Sequence, residues 1–392
     1  MHTQEKKNVR FGIIGVGNMG SAHARCIAGG EIAGAVLSAL CDTDANRRDA
    51  LRALYPNVPV FHTHRELLDS GLVDAIIVAT PHAAHPPIAI DAFRKGLHVL
   101  VEKPAGIETK SVLEMNEVAK ESGRIFSIMF NQRANRLFRR AREILRSGEL
   151  GEFRRSIWII TNWYRKQTYY DSGIWRGTWA GEGGGVLINQ APHNLDLWQW
   201  ICGMPKTVYA QCYVGLHHDV EVEDDATLMV EYEGGATGLF VTSTGDYPGT
   251  NRLEITGSRG KLLLENGKLT LTHLSMDERE LRMTGKHIYP EAEITEILDE
   301  PYCGHAEILA NFTDAILHGT PLLAPGDEGI CELTLSNAAY LSAWTGEKIE
   351  LPLDREHFLV ELEKRRATSH FKSEAAEEAK TGEYKSRWNT NW

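Results

Sequence analysis

The sequence predicts an α/β chain in two parts. A doubly wound parallel sheet comes first, followed by an α+β domain with a large open, mostly antiparallel sheet. Three observations predict this. An apolar strand runs into a glycine turn and out into a helix within the first 28 residues. Strand and helix patterns then alternate to about residue 130, as a parallel sheet with helices on both faces requires. Beyond that point the apolar spacing changes to a period of two over longer segments, the pattern of antiparallel strands with one covered face.

Residues 9–14 read as the first strand and residues 21–28 as the helix that follows the turn Gly15-Val16-Gly17-Asn18-Met19-Gly20. Such a junction aims backbone N–H groups and the positive end of a helix dipole at one point, where a pyrophosphate can sit. Gly15 permits the tight turn, Gly17 lets the backbone approach the phosphates, and Gly20 lets helix and strand pack closely. The second strand, 35–41, ends in Asp42, about 20 residues on, where a carboxylate can take a ribose 2′-OH. Together these features spell a Rossmann-type dinucleotide site; the plain alternative is a glycine turn that binds nothing. Further strands fall at 58–61, 75–79, 98–101 and 125–129, with helices at 86–95 and 109–122 among them. Residues 1–130 form the expected dinucleotide-binding domain.

Residues 131–366 form the expected second domain. It opens with an amphipathic basic helix, 133–147, and continues in strands at 153–163, 207–214, 226–231, 236–244, 252–256, 261–265 and 268–272. Glu233-Gly234-Gly235 and Glu265-Asn266-Gly267 are the turn signals between several of them. Helices return at 304–318, 327–346 and 354–366. The polar tail, 367–392, carries Trp388 and Trp392, and is expected to dock on this subunit or a neighbour.

Bulk properties narrow the function. A chain of 392 residues exceeds one ordinary core. Its 42% hydrophobic and 24% charged residues fit a globular protein. A net charge of −11, with a pI near 5.8, argues against nucleic acid and anionic membranes. Residues 1–8 lack the apolar core of a signal peptide, and no apolar run is long enough to span a bilayer. The six cysteines form no CxxC pair, which points to buried thiols in the reducing cytoplasm and to no metal site.

Three elements carry chemistry. Thr80-Pro81-His82-Ala83-Ala84-His85 follows the strand 75–79, at the carboxyl edge where open α/β sheets bind ligands. His82 and His85 have no third metal ligand near them in sequence, so they read as residues of the cofactor cleft. Glu102-Lys103-Pro104 follows the next strand. Lys103 thus leaves the same sheet edge as the glycine turn, where a lysine can stabilise an alkoxide. In the third element, Gly183 to Asp196, Asn189 and His193 lie four apart. They share a face if the segment is one helix, although Pro192 can open or kink that helix. A histidine with an ordinary pKa near 6.5 can accept a proton at neutral pH.

Taken together, these motifs resemble the Gfo/Idh/MocA family of NAD(P)-dependent oxidoreductases over nearly the whole chain. The resemblance implies an N-terminal dinucleotide domain and a C-terminal domain whose open sheet forms homodimers or homotetramers. It also implies hydride transfer to or from a hydroxyl of a sugar, inositol or related compound. Lys103 then maps to the active-site lysine and His193 to the proton-transferring histidine. Asp42 maps to the acid that favours NAD over NADP by repelling a 2′-phosphate, while Arg47 and Arg48 leave NADP open. The chain departs from the pattern at Asn189, where the family has Asp, and at Ala191, where it has Gly. Asparagine can position groups by hydrogen bonds but supplies no negative charge.

The ligand is hinted at upstream of His193. Six of the nine tryptophans lie between Trp158 and Trp200. Aromatic faces match pyranose rings, and Arg and Asn serve hydroxyls or carboxylates. Trp163, Tyr164, Trp175 and Arg176, with Asn131 and Arg133, are therefore the candidate substrate contacts beside Asn189, His193 and Lys103. The expected protein is a cytoplasmic NAD-dependent dehydrogenase of a sugar, glycoside or polyol secondary alcohol. A redox-assisted glycoside hydrolase with retained NAD and a non-catalytic NAD or sugar sensor are the alternatives.

Overall fold

The computed structural model describes residues 8–284 and 287–370. The tail tryptophans Trp388 and Trp392 lie outside them. The described residues divide into two units: those up to 134 with 303–333, and those of 135–302 with the ones from 334 on.

In the first unit the chain runs β1 (Val9–Ile14), α1 (Asn18–Ala28), β2 (Ala35–Cys41), α2 (Ala45–Leu54), β3 (Val60–Phe61), α3 (His64–Asp69), β4 (Ala75–Val78), α4 (His85–Arg94), β5 (His98–Val101), α5 (Thr109–Ser122) and β6 (Phe126–Ile128). The strands form one parallel sheet in the order β3-β2-β1-β4-β5-β6. Strand order reverses between β1 and β4, and a doubly wound sheet opens its ligand crevice at the carboxyl ends beside that reversal. β4 can sit there because its side chains are apolar and buried on both faces, all four being fully covered, and β1 is buried except at Arg10 near its start.

The second unit contains α6 (Arg136–Arg146), β7 (Phe153–Ile160), α7 (Gln167–Asp171), α8 (Val186–Asn189), α9 (Pro192–Cys202), β8 (Thr207–Val214), β9 (Glu223–Glu231), β10 (Thr237–Ser243), β11 (Asn251–Gly257), β12 (Gly260–Glu265), β13 (Lys268–Leu274), α10 (Glu278–Arg282) and β14 (Ala292–Leu298). Among the described residues its nine strands, closed by the short β15 (Ile349–Glu350), are ordered β14-β13-β12-β11-β7-β10-β9-β8-β15. Every pairing is antiparallel except that of β10 with β7. One face is covered; on the other a cross-strand row runs through Tyr209, Met229, Leu239 and Ile157, of which Tyr209 and Met229 are exposed.

Three features depart from the sequence reading. Residues 303–333, expected in the second domain, belong to the first unit. They carry α11 (Gly304–His318), whose Phe312 ring lies 6.0 Å from that of Phe11 on β1, and a segment whose Ala324 carbonyl accepts from Ile128 N and Ser127 Oγ. Helix α12 (Gly329–Thr345) then leads into the second unit, which ends with α13 (Arg355–Arg366). The expected helix 133–147 begins later, because residues 131–134 form a 3₁₀ turn and Asn135 caps α6 by accepting from Leu137 N. The expected strand 153–163 stops at Ile160, after which the backbone pairs with loop residues Thr250 and Thr244.

Candidate active site

Four of the sequence-predicted segments leave the carboxyl edge of the parallel sheet. Gly15 follows β1, Asp42 follows β2, Thr80 follows β4 and Lys103 follows β5. The glycine turn has the shape a pyrophosphate needs. Gly15 has φ +85°, and a Cβ there would press on the Ala79 carbonyl. A Cβ on Gly20 would overlap the Gly15 carbonyl oxygen, whereas one on Gly17 would have nothing within 4 Å. No side chain caps the first turn of α1 and no acid sits in it, so the positive end of the helix faces an open cradle. Asn18 is exposed and Met19 half-buried beside it.

Asp42 is buried, at 5% exposure. Its carboxylate accepts from Val16 N at 2.8 Å, Asp44 N at 3.0 Å and Arg47 Nη1 at 3.1 Å. It therefore braces the glycine turn. Thr80 Oγ1 is buried with no hydrogen-bond partner among the described residues, and Pro81 opens the short turn that carries His82. His85 is fully buried at the start of α4, with Nδ1 2.8 Å from the Pro104 carbonyl and Nε2 2.7 Å from that of Thr80. Burial lowers its pKa against the pull of those two carbonyls. Both partners are acceptors and the neutral ring carries one N–H, so His85 donates to one carbonyl at a time while it packs between the two strand exits.

Glu102 forms a pair the sequence reading missed. Its Oε1 lies 2.7 Å from Nε2 of buried His23 and its Oε2 accepts from Lys103 N at 3.2 Å. Burial works to raise its pKa, but the bond and charge of His23, with help from His305 and Lys103, hold it down at about 2. His305, on α11, is pushed by burial down to about 4 and bonds Asn131 Nδ2 at 3.2 Å. Asn131 Oδ1 is buried with no hydrogen-bond partner among the described residues. Arg133 is fully buried; its guanidinium meets Glu328 and lies 5.2 Å from the Phe130 ring. Lys103 itself is half-buried.

In the second unit, Asn189 and His193 do not share one helix. Pro192 has no N–H to bond the carbonyl of Ile188, so it opens α9 while Asn189 closes α8. Both side chains are nearly buried, at 8% and 7% exposure. The glycines before α8 are there for packing. A Cβ on Gly184 would overlap the Tyr340 hydroxyl and one on Gly185 the Glu223 carbonyl oxygen. The Glu223 carboxyl receives Gly185 N and Leu187 N, each at 2.9 Å, and the Tyr340 hydroxyl at 2.7 Å. Burial raises its pKa to about 7 in spite of those bonds.

The aromatic segment splits by role. Trp163 is 1% exposed and donates its ring N–H to Asn194 at 3.2 Å, as a core side chain does. Tyr164 is 40% exposed and pairs with the Tyr247 ring. Arg176 lies over the Trp175 ring at 4.4 Å and the Tyr169 ring at 4.6 Å, and donates to the Tyr169 hydroxyl at 2.6 Å. Tyr169 and the buried Glu182, which both reach Asn189, were not singled out from the sequence. The one signal for Glu182 is a lone acid inside Ala180-Gly181-Glu182-Gly183-Gly184-Gly185. Elsewhere among the described residues, His217, Asp225 and Asp246 bring one possible metal-ligand atom each within 4.8 Å of one another; two of the three are exposed. None of the described helices is long and apolar enough to cross a membrane.

Comparison with known proteins follows the same division. Residues 9–130 match the model of an oxidoreductase family with an NAD-binding Rossmann fold, and residues 138–263 match that of the GFO/IDH/MocA C-terminal domain. Myo-inositol 2-dehydrogenase of Thermotoga maritima is 24% identical over 88% of this chain and 98% of its own. The scyllo-inositol 2-dehydrogenase (NAD(+)) of Bacillus subtilis is 24% identical over 88% and 97%. Among solved structures, the WlbA dehydrogenase of Bordetella pertussis, in complex with NADH and UDP-GlcNAcA, superposes with a TM-score of 0.74 at 28% identity, covering 88% of this chain and all of that one.

Proposed function

This chain belongs to the GFO/IDH/MocA family of NAD-binding oxidoreductases, and on that premise we propose that it oxidises, or forms by reduction, a secondary alcohol of a sugar, glycoside or inositol-like polyol. The observation that carries the reading is the convergence at one sheet edge. The glycine cradle, Asp42 and the Glu102-Lys103-Pro104 exit all leave the carboxyl side of the same parallel strands. The inositol dehydrogenases and the nucleotide-sugar complex above support the substrate class.

Gly15, Gly17 and Gly20 shape the phosphate cradle, Asn18 and Met19 flank it, and Asp42 takes the adenosine ribose. When bound, the nicotinamide supplies a hydride acceptor. Lys103 donates a hydrogen bond to the substrate hydroxyl and stabilises its oxygen as negative charge develops. His193 receives the hydroxyl proton as general base. Oxidation yields ketone, reduced cofactor and one proton; the reverse reaction returns that proton through His193. Glu102, held ionised by His23, keeps negative charge next to Lys103.

The test is incubation with NAD and a panel of myo-inositol, scyllo-inositol, neutral sugars, uronic acids and aryl glycosides. Absorbance at 340 nm and aglycone release are followed together. Growth at 340 nm without aglycone is expected. Aglycone release over a flat trace would reassign the protein to redox-assisted glycoside cleavage. NAD binding with neither signal would point to a sensor.

A further inference from the structure

We propose that the substrate carries an anionic group, a carboxylate or a phosphate, on its sugar or polyol ring, and that Arg176 recognises that group. The inference rests on the dehydrogenase reading above and narrows its substrate class.

Arg176 lies on the loop between α7 and α8 and is half-buried. Its guanidinium sits 4.4 Å from the Trp175 ring and 4.6 Å from the Tyr169 ring. Two rings against one guanidinium keep water from its faces and fix its plane. Its Nη1 donates to the Tyr169 hydroxyl at 2.6 Å. That bond uses one of five N–H groups, and a hydroxyl brings no negative charge. The comparably covered Arg154 and Arg365 each meet a carboxylate, that of Glu278 and that of Glu361. Arg176 meets none among the described residues; the buried Glu182 on the same loop bonds Gly177 N and Asn189 Nδ2 instead. A second guanidinium deepens the imbalance. Arg165 is buried and lies 5.2 Å from the same Tyr169 ring. Burial lowers its pKa, Tyr169 and Tyr170 work against that, and the charge of Arg176 adds to it. The position suits a ligand contact. The Tyr169 hydroxyl also receives Asn189 Nδ2 at 3.0 Å and Gln190 Nε2 at 3.2 Å, so Arg176 stands beside the end of α8, next to the candidate substrate contact Asn189. With Nη1 on Tyr169, the Nε and Nη2 edge offers two parallel N–H groups, the fork that matches two oxygens of one carboxylate or phosphate. Bracing the loop needs only the bond to Tyr169. A flat, preoriented charge with no carboxylate of its own goes beyond bracing.

The experiment compares acidic probes with neutral counterparts by isothermal titration in the presence of NADH, which leaves an alcohol no hydride acceptor. The pairs are D-glucuronate with D-glucuronamide, D-galacturonate with D-galactose, and glucose 6-phosphate with glucose. In at least one pair the wild type should bind the acid about tenfold tighter or more than its counterpart. A preference confined to the uronates identifies a carboxylate; one confined to glucose 6-phosphate identifies a phosphate. R176Q should erase the preference and leave NADH affinity unchanged. An Arg176 that only braces the loop would instead weaken acidic and neutral probes by the same factor. That result, equal affinities within every pair, or no binding by any acidic probe would overturn the proposal. The wild-type comparison decides even where R176Q fails to fold. Absorbance at 340 nm with NAD keeps the two readings apart. Growth with neutral members, together with equal affinities, leaves the dehydrogenase and removes the anion. A preference for acids with no growth from any member keeps the role of Arg176 and removes the dehydrogenase.

Discussion

Two runs of glycine, one in each unit, precede candidate site residues for opposite physical reasons. In the first, Gly17 faces open space within 4 Å, and the run makes room for something that is not protein. In the second, Gly184 and Gly185 are filled by the chain itself, through the Tyr340 hydroxyl and the Glu223 carbonyl. Those partners are 155 and 38 residues away from Gly185 in sequence. A glycine whose purpose is a ligand is legible in a local motif. A glycine whose purpose is close packing is legible only once its distant partner is known.

The contrast makes its largest prediction at Gly185. Gly185→Ala drives a Cβ into a backbone carbonyl that cannot rotate away, at an expected cost of about 3 kcal/mol or more. Gly17→Ala should fold with wild-type Tm and lose about tenfold or more in NAD affinity, because the new methyl lies where the phosphates approach. Thermal unfolding and NAD titration of both variants check this. Two variants that fail in the same way would break the distinction.

A smaller effect separates the units by pH. The Glu223 carboxyl has a folded pKa of about 7, raised by burial, against about 4.3 when unfolded. Its contribution to stability is full below the unfolded value and is lost as pH rises through about 7. His305 behaves oppositely. Burial lowers it to about 4, so stability is full above the unfolded value of about 6.5 and falls as pH drops from there toward 4. Glu223→Gln should flatten the first slope at a cost of about 1–2 kcal/mol. His305→Gln should flatten the second. Urea melts across pH 4 to 8 measure both, and a wild-type pH profile in either variant would contradict the assignment. The smallest expected effect is that of Arg47→Ala. Its side chain is 48% exposed where it meets Asp42, and its loss should change stability by about 0.5 kcal/mol or less. A larger change in the melting curve would mean that Asp42 depends on this partner to brace Val16.

What could be read from the sequence follows the same division between local and distant. The alternating strands, the glycine cradle, Asp42 and the strand exits at Thr80 and Lys103 were legible because each is a short contiguous pattern. The return of residues 303–333 to the first unit was not, since it depends on Phe312 meeting Phe11 and Ala324 meeting β6. Strand β14 was missed because it is an edge strand whose exposed Glu and Ile residues carry no buried alternation. The parallel pairing of β10 with β7 cannot be told from an antiparallel one by period alone. Asn189 and His193 stand out in the sequence as candidates, but the break at Pro192 removes the common helix that their spacing suggested. The residues that organise them, Glu182, Tyr169, Glu223 and Tyr340, gave only faint signals, because their meaning lies in contacts across loops.

The most direct test of the account is steady-state turnover of Lys103→Ala and His193→Ala on the substrate found in the panel, with NAD affinity measured in parallel. The account predicts that each variant loses about two to four decades in kcat while binding NAD within about threefold of wild type, since neither side chain shapes the phosphate cradle. Turnover close to wild type in both variants would contradict it.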